Sequence, residues 1–131
     1  MRKLQKRSKR LRETKEFKRN RNILLSQSNG ICRYCGNKFK KLTIDHIIPK
    51  RAEMEGIILN TDNIENLRLC CRDCNEFKLH YSLKTFRKKL LKLNDLKCIP
   101  SVIEVRIRVL YNINTNTYFT GLFYFEIEQK T

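Results

Sequence analysis

Two Cys-x-x-Cys pairs constrain this chain more than any other feature. Cys32 and Cys35 form the first pair, and Cys71 and Cys74 form the second. A two-residue spacer lets both thiolates reach one ion, and two such pairs make a closed tetrahedral zinc site. We therefore expect a structural Zn²⁺ held by all four cysteines. Cys70 is an alternative to Cys71, although three residues rather than two then separate it from Cys74.

No apolar segment reaches the roughly 18 residues of a membrane helix, and the N-terminus has no apolar secretory region. A disulfide framework is therefore not expected. We expect an intracellular protein without a membrane partner, with Cys98 as a buried core thiol.

The charge is strongly basic and unevenly distributed. The 131 residues carry a net charge of +16, which favours a polyanionic partner. Residues 1–22 hold 11 Lys and Arg against 2 Glu, a net +9, whereas residues 23–80 hold 9 against 7, a net +2. With few large apolar residues, segment 1–22 is predicted to be disordered or marginally helical in isolation. It is interpreted as an arm that contacts phosphates, with a solubility tail as the alternative.

The local patterns predict a mixed α and β chain. A helix is expected to start near Glu13 and end within 22–28, and segment 50–63 is expected to be a loop. Short strands are predicted at 42–48 and 66–69, and helices at 72–80 and from Ser82 onward. Apolar residues alternate at 103–111 and again at 118–127, with a turn-rich segment between them. This pattern predicts a C-terminal β-hairpin.

The segment between the Cys pairs is 35 residues long, whereas a plain zinc ribbon has about 15–20 there. It holds Asp45-His46-Ile47-Ile48-Pro49 and Asn66-Leu67, and the second pair continues as Cys74-Asn75-x-x-Lys78. In this order the motifs resemble an HNH endonuclease of the zinc-knuckle type, over about residues 22–80.

The resemblance implies a ββα-metal fold and a set of roles. His46 would activate water, Asp45 and Asn75 would bind one divalent ion, and Asn66 would orient the site. Asn63 is a rival for the role of Asn66. Four basic residues are expected to contact nucleic acid: Lys50, Arg51, Arg72 and Lys78. His80 is expected to be a surface helix residue rather than an auxiliary ligand.

The chemistry of these residue types supports the roles independently. Imidazole is a suitable base near neutral pH. Carboxylate and amide oxygens suit Mg²⁺ or Mn²⁺ rather than a second structural zinc. Because adjacent strand residues point to opposite faces, we expect either a distortion at Asp45 and His46 or an ion bound at the end of the strand.

We therefore predict an α+β protein: an HNH module stapled by zinc, a basic N-terminal helix or arm, and a C-terminal helix plus β-hairpin. The predicted boundaries are 1–22, 23–81 and 82–131. The predicted function is metal-dependent hydrolysis of DNA. The alternatives are a non-catalytic zinc-binding nucleic-acid module and an accessory protein that pairs through its hairpin. RNA as the partner, a homodimer, and a phage or mobile-element origin remain open.

Overall fold

The computed structural model describes residues 13–56 and 60–129, and it confirms the α+β class. The two strands in these ranges are β1 (Thr43–His46) and β2 (Leu67–Cys70), and a 3-10 turn spans Ile64–Asn66. The helices are α1 (Lys15–Ser26), α2 (Lys50–Met54), α3 (Arg72–Lys78), α4 (Leu83–Lys92), α5 (Val102–Leu110) and α6 (Tyr124–Gln129). Within these ranges no helix has the length and apolar character needed to cross a bilayer.

A small antiparallel sheet and one helix form the centre of the fold. Strands β1 and β2 pair antiparallel, with Thr43 opposite Cys70 and His46 opposite Leu67. Cys71 follows β2 directly and caps α3, because its sulfur accepts a hydrogen bond from the backbone N–H of Cys74. This arrangement is the ββα unit that the motifs predicted.

The C-terminal segment packs on the ββα unit in one continuous core. Tyr34, next to the first Cys pair, makes edge-on ring contacts with Phe86 of α4 and with Phe123, at centroid distances of 5.2 and 5.3 Å. The Phe86 and Phe123 rings stack on each other at 5.0 Å. The same buried cluster contains the sulfur atoms of Cys32 and Cys74, so the metal-binding region and the C-terminal helices stabilise each other.

Helix α1 begins at Lys15 after its capping residue Thr14 and ends at Ser26, which confirms the helix predicted to start near Glu13. Thr14 accepts a hydrogen bond from the backbone N–H of Phe17. Phe17 and Asn20 are buried against the ββα unit. Residues 1–12 of the predicted arm lie outside the described residues.

The predicted C-terminal β-hairpin is wrong. Residues 102–110 form α5, and 124–129 form α6. Ser101 and Glu104 make a reciprocal capping box, and this Ser-x-x-Glu pattern marks a helix start. Ile103, Ile107 and Leu110 lie on one helical face against the core. The β-branched residues fit a strand by local preference, but packing and the cap outweigh that weak preference.

Segment 50–63, predicted as a loop, instead begins with α2. Pro49 precedes the helix, where a missing N–H costs nothing, and its carbonyl accepts a bond from Ala52 N–H at 2.9 Å. Arg51 and Glu55 add an ion pair of 3.0 Å along the helix. Residues 57–59 are outside the described ranges.

Two glycines provide a matched test of the packing at the first Cys pair. Gly36 has φ +78°, and a Cβ there would lie 2.7 Å from Cδ1 of Tyr124. Gly56 has φ +75° with nothing within 4 Å of such a Cβ. We expect Gly36→Ala to lower the free energy of unfolding by about 2–4 kcal/mol and Gly56→Ala by about 1 kcal/mol. Urea unfolding measures both, and equal losses would contradict the close contact.

Candidate active site

A cleft of about 220 Å³ lies where β1 ends and α3 passes beside it. Its lining includes Asp45, His46, Lys50, Asn75 and His80. Four of these are residues for which the sequence predicted a role in the site. His80 follows the end of α3, is exposed as expected, and also lines this cleft.

Strand β1 is regular at this point, so the predicted distortion is not found. Asp45 pairs with Arg68 and His46 pairs with Leu67 in the ladder. The two side chains therefore point to opposite faces of the sheet and meet different partners, although both residues border the cleft at the end of β1.

Asp45 is almost completely buried, and both of its oxygens have partners. Tyr34 Oη donates to Oδ2 at 2.6 Å, and the Lys78 ammonium lies 3.3 Å from Oδ1 and 3.2 Å from Oδ2. Burial raises the pKa of the Asp45 carboxyl, and the nearby charge of Lys78 and the Tyr34 hydrogen bond only partly oppose it.

Lys78 lies inside the protein, which corrects its predicted role. Its side chain is 0% exposed, and its Nζ also donates to the backbone carbonyl of His46 at 3.2 Å. A phosphate outside the protein cannot reach this ammonium. Lys78 instead holds Asp45 and the end of β1 in place.

His46 is seated between a carboxylate and an aromatic ring. Its Nε2 lies 2.8 Å from Asp62 Oδ1. The Phe17 ring of α1 stacks on the imidazole, with centroids 5.3 Å apart and planes 16° from parallel. An ionised Asp62 makes Nε2 the protonated nitrogen, which leaves Nδ1 as the nitrogen that can accept a proton.

Asp62 is the main site residue that sequence reasoning missed. Its Oδ2 accepts bonds from Thr14 Oγ1 and from Lys50 Nζ, both at 2.7 Å, and Asn20 donates to its backbone carbonyl at 2.9 Å. Burial alone would raise the pKa of Asp62, but the bonds from Lys50, Thr14 and His46 lower it to about 2. Its only sequence signal is that it is the single carboxylate in 57–64.

Asn66 ties two loops together near the cleft. Its Oδ1 accepts from Ile48 N–H at 2.8 Å, and its Nδ2 donates to the carbonyls of Ile48 and Thr61 at 3.0 and 2.8 Å. Thr61 immediately precedes Asp62, so these bonds fix the loop that carries Asp62. Asn63, the rival, caps the short 3-10 turn.

Asn75 lines the cleft, and its amide nitrogen is occupied by contacts with β1. Nδ2 donates to Thr43 Oγ1 at 3.0 Å and, more weakly, to the carbonyl of Ile44 at 3.4 Å. These bonds orient the side chain of Asn75 against β1, so its Oδ1 is the atom suited to a hard cation.

The remaining predicted nucleic-acid contacts are exposed basic residues. Lys50 lines the cleft while it pairs with Asp62. Arg51 is exposed on α2 beside Glu55, and Arg72 is exposed at the first residue of α3.

The four predicted zinc ligands come together. The sulfur atoms of Cys32, Cys35, Cys71 and Cys74 all lie within 4.8 Å of one another. Zn–S bonds of about 2.3 Å place tetrahedral sulfurs roughly 3.8 Å apart, so a small contraction accommodates zinc. Backbone N–H groups of Cys35 and Cys74 point at the sulfurs of Cys32 and Cys71, at 3.5 and 3.4 Å.

Without a cation, the four thiols cannot all ionise easily at one site, because neighbouring thiolates repel each other. Hydrogen bonds from the three other thiols lower the pKa of Cys32, whereas burial raises the pKa of Cys74. A divalent cation removes this competition, because it stabilises all four thiolates together. The donor set therefore fits a structural zinc ion.

The two other cysteines lie outside the cluster. Cys70 is buried in β2, with its sulfur 3.5 Å from Thr43 Oγ1, so Cys71 and not Cys70 completes the set. Cys98 was predicted as a core thiol, but it is exposed, because it lies in the polar turn that precedes Pro100.

Comparison with known proteins agrees with this geometry. Residues 32–80 match the family model for HNH endonuclease, which confirms the resemblance seen in the motifs. No curated protein and no solved structure matches the chain.

Removal of the metal should unfold the protein, because the cluster lies in the shared core and zinc binding supplies folding free energy. We expect strong chelation, or Cys74→Ser, to abolish the cooperative thermal transition. The exposed Cys98→Ser variant should retain it, together with one zinc per chain. Unchanged helical signal and melting temperature after chelation would contradict this.

Asp62 should stabilise the fold in a pH-dependent way. Because its pKa is lowered to about 2 in the folded protein, its stabilisation is complete above the unfolded pKa of about 3.9 and is lost as the pH falls toward 2. We expect Asp62→Asn to lose about 2 kcal/mol at pH 7 and progressively less from pH 4 downward. Urea unfolding with the exposed Asp95→Asn as control measures this, and a loss that does not change with pH would refute it.

Proposed function

We propose that this protein is a metal-dependent endonuclease that hydrolyses phosphodiester bonds of DNA. One observation carries the proposal: Asp45, His46 and Asn75 line a single cleft within the segment that matches the HNH endonuclease family. Residues that carry a carboxylate, an imidazole and an amide at one cleft supply the groups that this hydrolysis needs.

His46 is proposed as the general base. Its Nδ1 takes a proton from the attacking water, and the imidazolium that forms remains bonded through Nε2 to Asp62. A carboxylate stabilises that positive charge and holds the ring in one orientation, as the aspartate of a catalytic triad does. The stacked ring of Phe17 restricts rotation of the imidazole further.

The catalytic ion would be held by Asp45 and the Oδ1 of Asn75. When bound, Mg²⁺ or Mn²⁺ stabilises charge on the phosphate and on the leaving oxygen. The ammonium of Lys78 already neutralises part of the Asp45 charge, so the ion competes with a resident cation. We therefore expect weak binding that needs excess metal.

Nucleic acid would be held mainly through its phosphates. Lys50, Arg51 and Arg72 are the exposed basic residues proposed for this contact, together with the basic segment 1–22. Because a thiolate cluster suits reducing conditions, we propose that the protein acts inside the cell.

A non-catalytic zinc-binding nucleic-acid module is the second candidate. The observation that favours it is the buried pair of Lys78 and Asp45, which occupies the carboxylate that an ion would need. Such a module would bind DNA through the same basic residues without cutting it.

A plasmid assay separates the two candidates. Zinc-loaded protein is incubated with supercoiled plasmid and either Mg²⁺ or Mn²⁺. We expect the wild type to relax or linearise the plasmid and His46→Ala to cut at least 100-fold more slowly, the usual contribution of a general base. Asn75→Ala should also fail to cut the plasmid, whereas a variant at an exposed asparagine, Asn114→Ala, should cut it at the wild-type rate.

The variants must first match the wild type in zinc content and circular dichroism. DNA binding by the wild type without cutting in any ion would favour the non-catalytic module. Equal cutting by the wild type and His46→Ala would remove His46 from its proposed role.

A further inference from the structure

A second groove lies on the other strand of the sheet and is not used by the proposed chemistry. We name it the arginine groove. It has a volume of about 330 Å³ and lies between the end of α1, the first Cys pair, β2 and α6. Among the described residues that line it are two arginines, Arg33 and Arg68, and no carboxylate.

Arg68 lines this groove, and one of its donor atoms has no partner. Its guanidinium lies 3.6 Å from the centroid of the Phe125 ring and 5.8 Å from that of Tyr34. Stacking on a ring face uses none of the five N–H donors, which point outward in the guanidinium plane. Nη1 is buried and makes no hydrogen bond within the described structure, and such a group calls for an explanation.

The nearest candidate partners of Arg68 are already engaged. Asp45, its neighbour across the ladder, is bonded to Tyr34 and Lys78. Glu126 of α6 pairs with Arg87. Arg68 therefore forms no ion pair of its own among the described residues, and its charge adds to the Arg87 hydrogen bond in lowering the pKa of Glu126.

The rim of the groove offers further donors. Ser28 Oγ accepts a bond from Gly30 N–H at 3.0 Å, and Asn29 Oδ1 accepts one from Ile31 N–H at 3.2 Å. Because these oxygens are used as acceptors, the hydroxyl hydrogen of Ser28 and the Nδ2 of Asn29 remain as donors. Arg33 pairs with Glu128 and lines the same groove.

We infer that the arginine groove binds a phosphate group. A planar guanidinium on an aromatic ring, with donors around it and no carboxylate in the lining, matches the fork geometry of an oxyanion. The phosphate comes either from a nucleic-acid backbone or from a free small molecule. A nucleic-acid source rests on the proposed function. Strand β2 lines this groove and its neighbour β1 lines the cleft, so one nucleic-acid strand can contact both places.

Two measurements on the full-length, zinc-loaded protein test this inference. The first follows the arginine Nε–H signals of the wild type by NMR during titration with inorganic phosphate, with Arg68→Lys used to assign the signal. The second measures the salt dependence of binding to a short DNA duplex in phosphate-free buffer for Arg68→Gln. The control is Arg106→Gln, an exposed arginine outside the groove that pairs with Asp73.

Phosphate should shift the Arg68 signal in the wild type. For a backbone site, DNA should compete with this shift, and Arg68→Gln should reduce the salt slope of DNA binding by about 0.9, the loss of one phosphate contact. Arg106→Gln should not change the slope. A phosphate shift without DNA competition would also support the groove, as a site for a free phosphate compound.

An Arg68 signal that does not respond to phosphate, with an unchanged DNA salt slope, would overturn the inference. If Arg68→Gln fails to fold, the wild-type titration decides alone. Neither measurement depends on cleavage. A negative plasmid assay would therefore contradict the proposed nuclease activity without affecting the test of the arginine groove.

Discussion

The cluster of four cysteine sulfurs is the interaction on which the rest of the structure depends. Cys71 directly follows β2 and caps α3, so one residue joins the sheet, the helix and the metal site. Cys74 lies beneath Tyr111, whose Oη is 3.1 Å from its sulfur, which connects the cluster to the end of α5. An ion at the cluster therefore fixes both the ββα unit and the helices that cover it. The cleft has its shape because these elements cannot move apart.

A second constraint comes from the alternation of side chains along β1. Asp45 and His46 are neighbours, but each needs its own support on a different face of the sheet. Asp45 forms an ion pair with Lys78 of α3 and accepts a hydrogen bond from Tyr34, which lies within the first Cys pair. His46 is hydrogen-bonded to Asp62, which lies in a loop, and its ring stacks on Phe17 of α1. The candidate base is therefore completed by α1, a helix that overlaps the basic segment 1–22 proposed to contact nucleic acid.

Much of the centre of this fold could be predicted from sequence, because its motifs have fixed spacing. The two Cys pairs, the Asp45-His46 strand and the Asn75 helix were all expected where they are found. The C-terminal hairpin was wrong, because Ile103, Ile107 and Leu110 lie on one helical face against the core while Val105 and Val109 are exposed. The Ser101 cap at the start of α5 also favours the helix. Lys78 and Asp62 were misjudged or missed for a common reason. Their roles are set by contacts over 16 to 33 positions in sequence, and no local pattern reports such contacts.

The protonation of the His46 ring tests the central claim most directly, since the proposed chemistry requires an Nδ1 that can accept a proton. Nitrogen-15 NMR of the imidazole at neutral pH reports which ring nitrogen carries the hydrogen. We expect Nε2 to be protonated toward Asp62 and Nδ1 to be bare, and we expect Asp62→Asn to weaken this preference while leaving His80 unchanged. A His46 ring protonated on Nδ1, with a bare Nε2, would contradict the account, because the proton-accepting nitrogen would then face Asp62 instead of a substrate water.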